Sequence, residues 1–203
     1  MKIVALTGTP GTGKTAVAGE LRKRGIPVLQ IMRAARKCGA LGKYIEKEDT
    51  FELDIEILAN WIEKECRRVE NDVVVVEGHI SHLIPCITQI VVLRCSPTVL
   101  YSRLRRKGWR AEKIWENVEA EAIDLILIEA LEAGKPVSEI DTTEKTADAV
   151  AEEIIEIVEG KRKHPPGKIN WSLDFLNLLA RKENVRKLQK KGRPIPLKDC
   201  ETL

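Results

Sequence analysis

The octapeptide Gly8-Thr9-Pro10-Gly11-Thr12-Gly13-Lys14-Thr15 constrains this chain more than any other feature in it. It satisfies G-x-x-x-x-G-K-[ST] and stands between an apolar run beginning at Lys2 and a helix-patterned stretch from Lys14 to Lys23. In a strand–loop–helix context the pattern has a mechanism. Glycines let successive backbone N–H groups turn inward around a phosphate, and the helix N-terminus adds its dipole. Lys14 is expected to reach the β- and γ-phosphates, and the Thr15 hydroxyl to ligate Mg²⁺. The loop predicts a nucleoside triphosphate site.

The remaining pattern fits the sheet such a loop requires. "KIVAL", part of "GIPVLQI" (25–31), "DVVVVEG" (72–78), "QIVVLRC" (89–95) and "PVSEID" read as strands. The β-branched runs at 72–78 and 89–95, bounded by turn signals, are those of strands buried on both faces of a parallel sheet. Helical patterns fall at 32–38, from Asp54 to Val69 and from Ala147 to Glu159. Another starts with Ser96 as N-cap and Pro97 at its first position. A single long helix is predicted from Ala111 to Ala133, while "GALGKYIEKEDT" reads as polar and irregular. The alternation predicts an α/β P-loop NTPase fold, a parallel sheet flanked by helices on both faces, over residues 1–159.

Such a loop also needs a second acidic group beside the metal, at the end of a buried strand. Glu77, closing "VVVV", is the candidate, and His79 follows in "EGHISHL". No N-K-x-D motif is present to read a guanine base, and a motor or AAA-type ATPase is expected to be longer and to carry a sensor region. The predicted body has the size of a small nucleoside or nucleotide kinase. Those enzymes need an acceptor pocket, a basic lid and arginines for migrating charge. Arg33 and Arg36, Lys107 and Arg110 beside Gly108, and Arg103 one turn earlier fit these places.

No run approaches the roughly 18 apolar residues of a membrane-spanning helix, so no membrane contact is expected. A strand starting at Lys2 leaves no room for a leader, and the five cysteines (38, 66, 86, 95 and 200) form no C-x-x-C pair. A cytoplasmic protein with free thiols is the expectation.

Charge divides the chain. From Lys161 onward 12 basic face 4 acidic residues, a net of +8, whereas the preceding 160 residues carry a net of −5. "GKRKHPPGKIN" (160–170) reads as a linker, and 171–203 as a basic helical C-terminal extension. Leu173, Leu176 and Leu179 offer an apolar stripe near Trp171, followed by Arg181, Lys182, Arg186, Lys187, Lys190, Lys191 and Arg193. Two readings stand open: a helix packed on the acidic body by that stripe, or an arm that docks elsewhere.

"LTGTPGTGKT", "VVEGHISHLIP", "VLRCSPTVLYSRLRRKGW", "EKIWENVEAE" and "IDTT", in this order and spacing, resemble the atypical adenylate kinases of the isoenzyme-six family. That family includes archaeal members and a eukaryotic nuclear ATPase of small ribosomal subunit maturation. The resemblance covers about residues 1–158. It implies Mg²⁺-dependent phosphoryl transfer from ATP to AMP, with ATPase activity. The ATP site would be Gly11, Gly13, Lys14, Thr15 and Ala16, with Lys107 at the edge of a lid at about 108–118 and adenine held around Asp141 to Lys145. AMP would bind at about 29–52, its phosphate on Arg36. Lys14, His79 and Arg103 would be catalytic, and Thr15 and Glu77 would hold the metal. The family element is usually Asp-x-His; here it reads Glu77-Gly78-His79, the same charge on a longer arm. Lys107 stands where some members have a lid arginine, a point charge in place of a fork. Implied partners are a small-subunit ribosomal protein and ribosomal RNA, met through the basic tail. Rival readings are a kinase for another small acceptor, and an ATPase switch whose kinase activity is secondary.

Overall fold

In chain order the strands are β1 (Lys2–Thr7), β2 (Val28–Gln30), β3 (Leu41–Ile45), β4 (Thr50–Leu53), β5 (Val73–Glu77), β6 (Gln89–Arg94) and β7 (Val137–Asp141). The helices are α1 (Lys14–Lys23), α2 (Ile31–Cys38), α3 (Ile55–Arg68), α4 (Pro97–Arg106), α5 (Ala111–Ala122), α6 (Leu125–Glu132), α7 (Ala147–Val158) and α8 (Ser172–Lys190). This computed structural model describes residues 1–45 and 50–190, without the side chains at 185, 186 and 188–190.

Five strands pair in parallel in the order β2-β5-β1-β6-β7. β1 is central, and the chain leaves it first toward one edge and later toward the other. Its C-terminal end is therefore the point where strand order reverses, the place at which open α/β sheets bind ligands. Successive side chains alternate between faces with period two. Ile3, Ala5, Val74, Val76, Ile90 and Val92 pack against α2, α3 and α6. Val4, Leu6, Val75, Val91 and Leu93 pack against α1 and α7. The helices thus cover both faces, as the alternating pattern predicts.

The structure departs from the sequence reading at three places. Within the stretch read as irregular, residues 41–45 are a strand: β3 pairs antiparallel with β4, Tyr44 opposite Phe51, while residues 46–49 lie outside the described residues. Most side chains of β3 and β4 face solvent, which erases the alternation that marks a half-buried strand. The single helix expected from Ala111 to Ala133 is two helices, broken at Asp124, which adopts φ 60°. Aspartate tolerates this left-handed conformation better than most residues, and here its carboxylate also pairs with the buried Arg94 guanidinium.

The third departure is in the tail. Leu173 and Leu176 are exposed, and it is Phe175 and Leu178 that enter the apolar cluster of α4 and α5 with Leu100, Leu104 and Val118. Lys182 lies 3.4 Å over the Trp115 ring. The segment 160–170 is also tied down: Glu139 N–H donates to the His164 carbonyl, and the Glu139 carboxylate accepts from Gly167 and Lys168 N–H. The described part of the extension packs on the body. Arg181 and Lys187 are exposed, whereas residues 191 and 193 and the side chains of Arg186 and Lys190 lie outside the described residues. So does Cys200; the four described cysteines are free thiols. No helix among the described residues is long and apolar enough to cross a membrane.

Candidate active site

A cleft of about 930 Å³ opens at the C-terminal end of β1. The loop between β1 and α1 forms its floor. Gly8 has φ 134°, and a Cβ built there would stand 2.3 Å from the Leu93 carbonyl oxygen of β6. Only glycine allows the loop to pass so close to the neighbouring strand. Gly13, also left-handed, begins α1 and leaves its first N–H groups facing the cleft.

Lys14 is buried, and its ammonium donates to the carbonyls of Gly8 at 2.6 Å and Thr9 at 3.0 Å. Burial lowers its pKa to about 8, against the raising influence of Glu77 and Glu121. A phosphate at the loop would supply the missing counter-charge and favour the ammonium again. Thr15 and Ala16 face the same cleft.

Glu77 is 8 % exposed rather than free in solvent. One carboxylate oxygen accepts from the Thr15 hydroxyl at 3.2 Å, the other from the Gln30 amide at 3.0 Å. Gln30 ends β2 directly opposite Glu77 in the parallel register. Hydroxyl and carboxylate oxygens side by side form the hard donor set that Mg²⁺ prefers, so Thr15 and Glu77 fit that ion. The longer glutamate arm reaches the P-loop threonine itself.

His79 lines the cleft beyond Glu77, and its backbone carbonyl accepts from the Thr7 hydroxyl. Enclosure by protein first, then the charge of Lys14, holds its pKa below the ordinary 6.5. It is therefore a neutral imidazole near neutral pH. His82, by contrast, is buried away from the cleft between Thr7, at 3.0 Å, and Glu129, at 3.3 Å. Its place is structural.

At one end of the cleft α4 contributes Arg103, whose guanidinium donates to the carbonyls of Thr142 and Thr143. Arg103 is thereby pinned to the loop after β7, at the end away from Arg33. Lys145, on that loop, lines the same end and pairs with Glu153. Lys107 and Trp109 close the cleft from the far end of α4. The other end is walled by Gln30, Ile31, Met32 and Arg33. Arg36 lies outside the lining, exposed one turn further along α2, while Ile31, Ala34 and Ala35 face the core. Residues 46–49 of the expected acceptor region lie outside the described residues.

Two supporting groups were not foreseen. Gln30 is legible only once β2 is known to pair with β5. Glu121, buried on α5, accepts from the P-loop Thr9 hydroxyl and from Arg94, which it shares with Glu139 and Asp124. Nothing in the sequence signals that Arg94, at the end of an apolar strand, is the largest fully buried side chain among the described residues.

A family model described as an AAA domain matches residues 4–124. The expectation that length sets AAA-type proteins aside does not hold against this match. The chain is 44% identical over 175 residues to an Archaeoglobus fulgidus protein named "Putative adenylate kinase", covering 83% of this chain and 91% of that one. A Pyrococcus abyssi protein of the same name is 42% identical over 171 residues, at 84% and 91% coverage. Among solved structures, TT1252 from Thermus thermophilus matches with a TM-score of 0.52 over 79% of this chain and 97% of that chain. At 17% identity this likeness speaks to the fold alone.

Proposed function

Since this chain belongs to the family of that AAA domain model, alongside the archaeal proteins named as adenylate kinases, we propose that it transfers a phosphoryl group from Mg-ATP to AMP, giving two ADP. One observation carries the reading. The cleft runs past the P-loop to a second, arginine-bearing end at Arg33, leaving room for an acceptor beside the donor. A site built only to hydrolyse ATP has no need of that second end.

The geometry supports the following roles. The P-loop N–H groups and Lys14 hold the donor phosphates, and Arg103 with the 141–145 loop frames the donor base. Arg33 is better placed than Arg36 for the acceptor phosphate, because it lines the cleft. Mg²⁺, held by Thr15 and Glu77, would neutralise charge on the transferring group. Gln30 fixes one Glu77 oxygen and so orients the other toward Thr15. The acceptor is itself a phosphate oxygen that needs no deprotonation near neutral pH. Alignment and charge neutralisation therefore carry the rate. Lys107 and Trp109, which line the cleft, would shut out the water that would otherwise hydrolyse ATP.

The test is product analysis of Mg-ATP incubated with each nucleoside monophosphate in turn. ADP formed from both partners with AMP supports the reading; phosphorylation of CMP or shikimate but not AMP overturns it.

A second activity, ATP hydrolysis, is favoured by neutral His79 lining the cleft, where it can orient a water. His79→Ala should then lower AMP-independent hydrolysis more than AMP phosphorylation, and equal loss of both with a lower Tm would assign His79 to bracing alone. The resemblance to the isoenzyme-six family extends this reading to small ribosomal subunit maturation. Salt-sensitive RNA binding by the full chain, set against binding to a small-subunit protein, tests that role.

A further inference from the structure

Resting on the reading of the 141–145 end as the donor end, we infer that the C-terminal segment is a working part of the ATP site. Asp174 of α8 is a positioning residue that acts on the donor-base loop through α4, and Trp171 backs that loop from behind.

Asp174 grips the start of α4 with both oxygens. One accepts from Thr98 N–H at 3.0 Å and from the Ser96 hydroxyl at 2.8 Å; the other accepts from the Thr98 hydroxyl at 3.0 Å. Thr98 N–H is one of the first-turn donors that a helix cannot satisfy internally, and a carboxylate there also meets the positive end of the helix dipole. Ser96 N–H in turn donates to the Thr143 hydroxyl at 2.9 Å. About two turns further on, Arg103 donates to the carbonyls of Thr142 and Thr143 at 2.8 and 3.1 Å. α4 therefore holds the donor-base loop twice, and Asp174 holds α4.

The same helix backs the P-loop. A Cβ on Gly11 would stand 2.6 Å from Leu100 and 2.9 Å from Leu104, so these leucines lie directly against the loop. Both belong to the apolar cluster that Leu178 completes, itself fully buried. A second tie runs through Glu139, which accepts from Gly167 and Lys168 with one oxygen and from Arg94 with the other. Arg94 leads through Glu121 to Thr9 of the P-loop. Residues 164–178 thus touch, by two separate routes, groups that themselves touch the loops framing the donor.

Trp171 adds a movable element. It lines a second cavity, of about 350 Å³, with Asp141, Thr143, Glu144 and Lys145. Lys145 is common to this cavity and the main cleft. The 141–145 loop is therefore a partition: Thr142 faces the main cleft, Thr143 and Asp141 the space behind. The Trp171 indole N–H is buried without a hydrogen-bond partner. Such orphaned groups are uncommon and call for a reason. The space behind the loop lets it shift when a nucleotide arrives, and Glu144 or Asp141 can then accept from the indole.

The experiment uses the full chain and calorimetric binding of adenylyl imidodiphosphate with Mg²⁺, which needs no acceptor. It is paired with steady-state KM values for ATP and AMP. Asp174→Ala should weaken the analogue about tenfold, equivalent to 1.4 kcal/mol, and raise the ATP KM in parallel. The AMP KM should stay within about twofold, a split that a merely structural contact at a distance from both nucleotides does not produce. Asp174→Asn keeps an acceptor without the charge and should recover part of the loss. Trp171→Phe keeps the ring and removes the N–H; it should weaken the analogue about threefold, the scale of one net hydrogen bond.

Analogue affinity unchanged in all three variants overturns the inference. So does an equal loss of donor and acceptor affinity with a fallen Tm. Tight analogue binding by the unaltered protein without phosphorylation of any monophosphate would refute the kinase reading and leave the Asp174 comparison valid. No analogue binding by the unaltered protein would remove both.

Discussion

Replacing Arg94 by methionine is the sharpest test of how the site is supported. The Arg94 side chain is 2 % exposed and faces Glu121 at 2 %, Glu139 at 1 % and Asp124 at 37 % exposure. Nε donates to Glu121 at 2.7 Å, Nη1 to Glu139 at 2.5 Å and Nη2 to the Glu121 carbonyl at 3.0 Å. Methionine fills most of the volume but leaves two fully buried carboxylates without a cation. Removing one partner of a buried ion pair costs about 3–5 kcal/mol, because the remaining charge stays desolvated. For a chain of this size that is a fall in Tm of roughly 6–20 °C. The assay is guanidinium unfolding followed by circular dichroism at pH 7. A further outcome identifies the cause. The triple variant Arg94→Met/Glu121→Gln/Glu139→Gln should recover at least half of the loss, since neutral groups need no cation. A loss below about 1 kcal/mol, or a triple variant no better than the single one, would refute the reasoning that desolvated charge sets the cost.

Lys14→Ala should lower turnover by about two orders of magnitude or more, the scale of a preorganised charge at a phosphoryl-transfer site; near-normal ADP formation in a coupled assay would remove its assigned role. Arg33→Ala should raise the AMP KM about tenfold, as for a lost charged hydrogen bond, whereas Arg36→Ala should change it less than about twofold; the reverse order would return the acceptor phosphate to Arg36. Burial, the first cause in each case, holds His79, His82 and His164 below the ordinary 6.5 despite the nearby carboxylates Glu129 and Glu153. The unfolded chain then protonates before the folded one, so this stability is present above pH 6.5 and lost as pH falls through the folded values; a thermal-melting series from pH 7.5 to 5 checks it, and a His82→Asn variant should show a shallower decline.

How far the sequence could be read depends on the range of the interaction concerned. The P-loop was legible because its geometry is local: Gly8 to Thr15 carry their conformations and their helix with them. The start of α4 was legible for the same reason, with Ser96 capping Val99 N–H and Pro97 in the first turn. The break at Asp124 was not, since apolar residues at spacings of three and four continue on both sides and the partner that helps hold the turn is Arg94, 30 positions away. Gln30 as the companion of Glu77 required the strand order, which hydrophobic patterning does not contain. Arg36 and Arg33 are three residues apart on a helix of eight, and only the packing of Ile31, Ala34 and Ala35 decides which of them looks into the cleft.

The tail shows why a sum of charges is a weak guide to where a segment sits. A net of +8 beside a body of −5 suggests general attraction or a detached arm in equal measure, because a sum carries no positions. Docking is decided by a few groups that the sum hides. Asp174, one of four acidic residues among twelve basic ones, makes three hydrogen bonds to the first turn of α4. Leu178 is wholly buried although Leu173 and Leu176, on the face the leucine pattern suggested, are 72% and 61% exposed. A leucine spacing of three fits either flank of a helix, and Phe175 with Leu178 uses the same spacing two residues out of phase. The exposed ammonium and guanidinium groups of Arg181 and Lys187 are free to interact with solvent, or with Glu183 in the case of Lys187 at 4.0 Å, once those apolar contacts and the Asp174 cap have fixed the helix. Surface charge contributes little to such placement in water. The apolar pair and one carboxylate set it, and that is why a segment composed like an arm packs against α4 and α5.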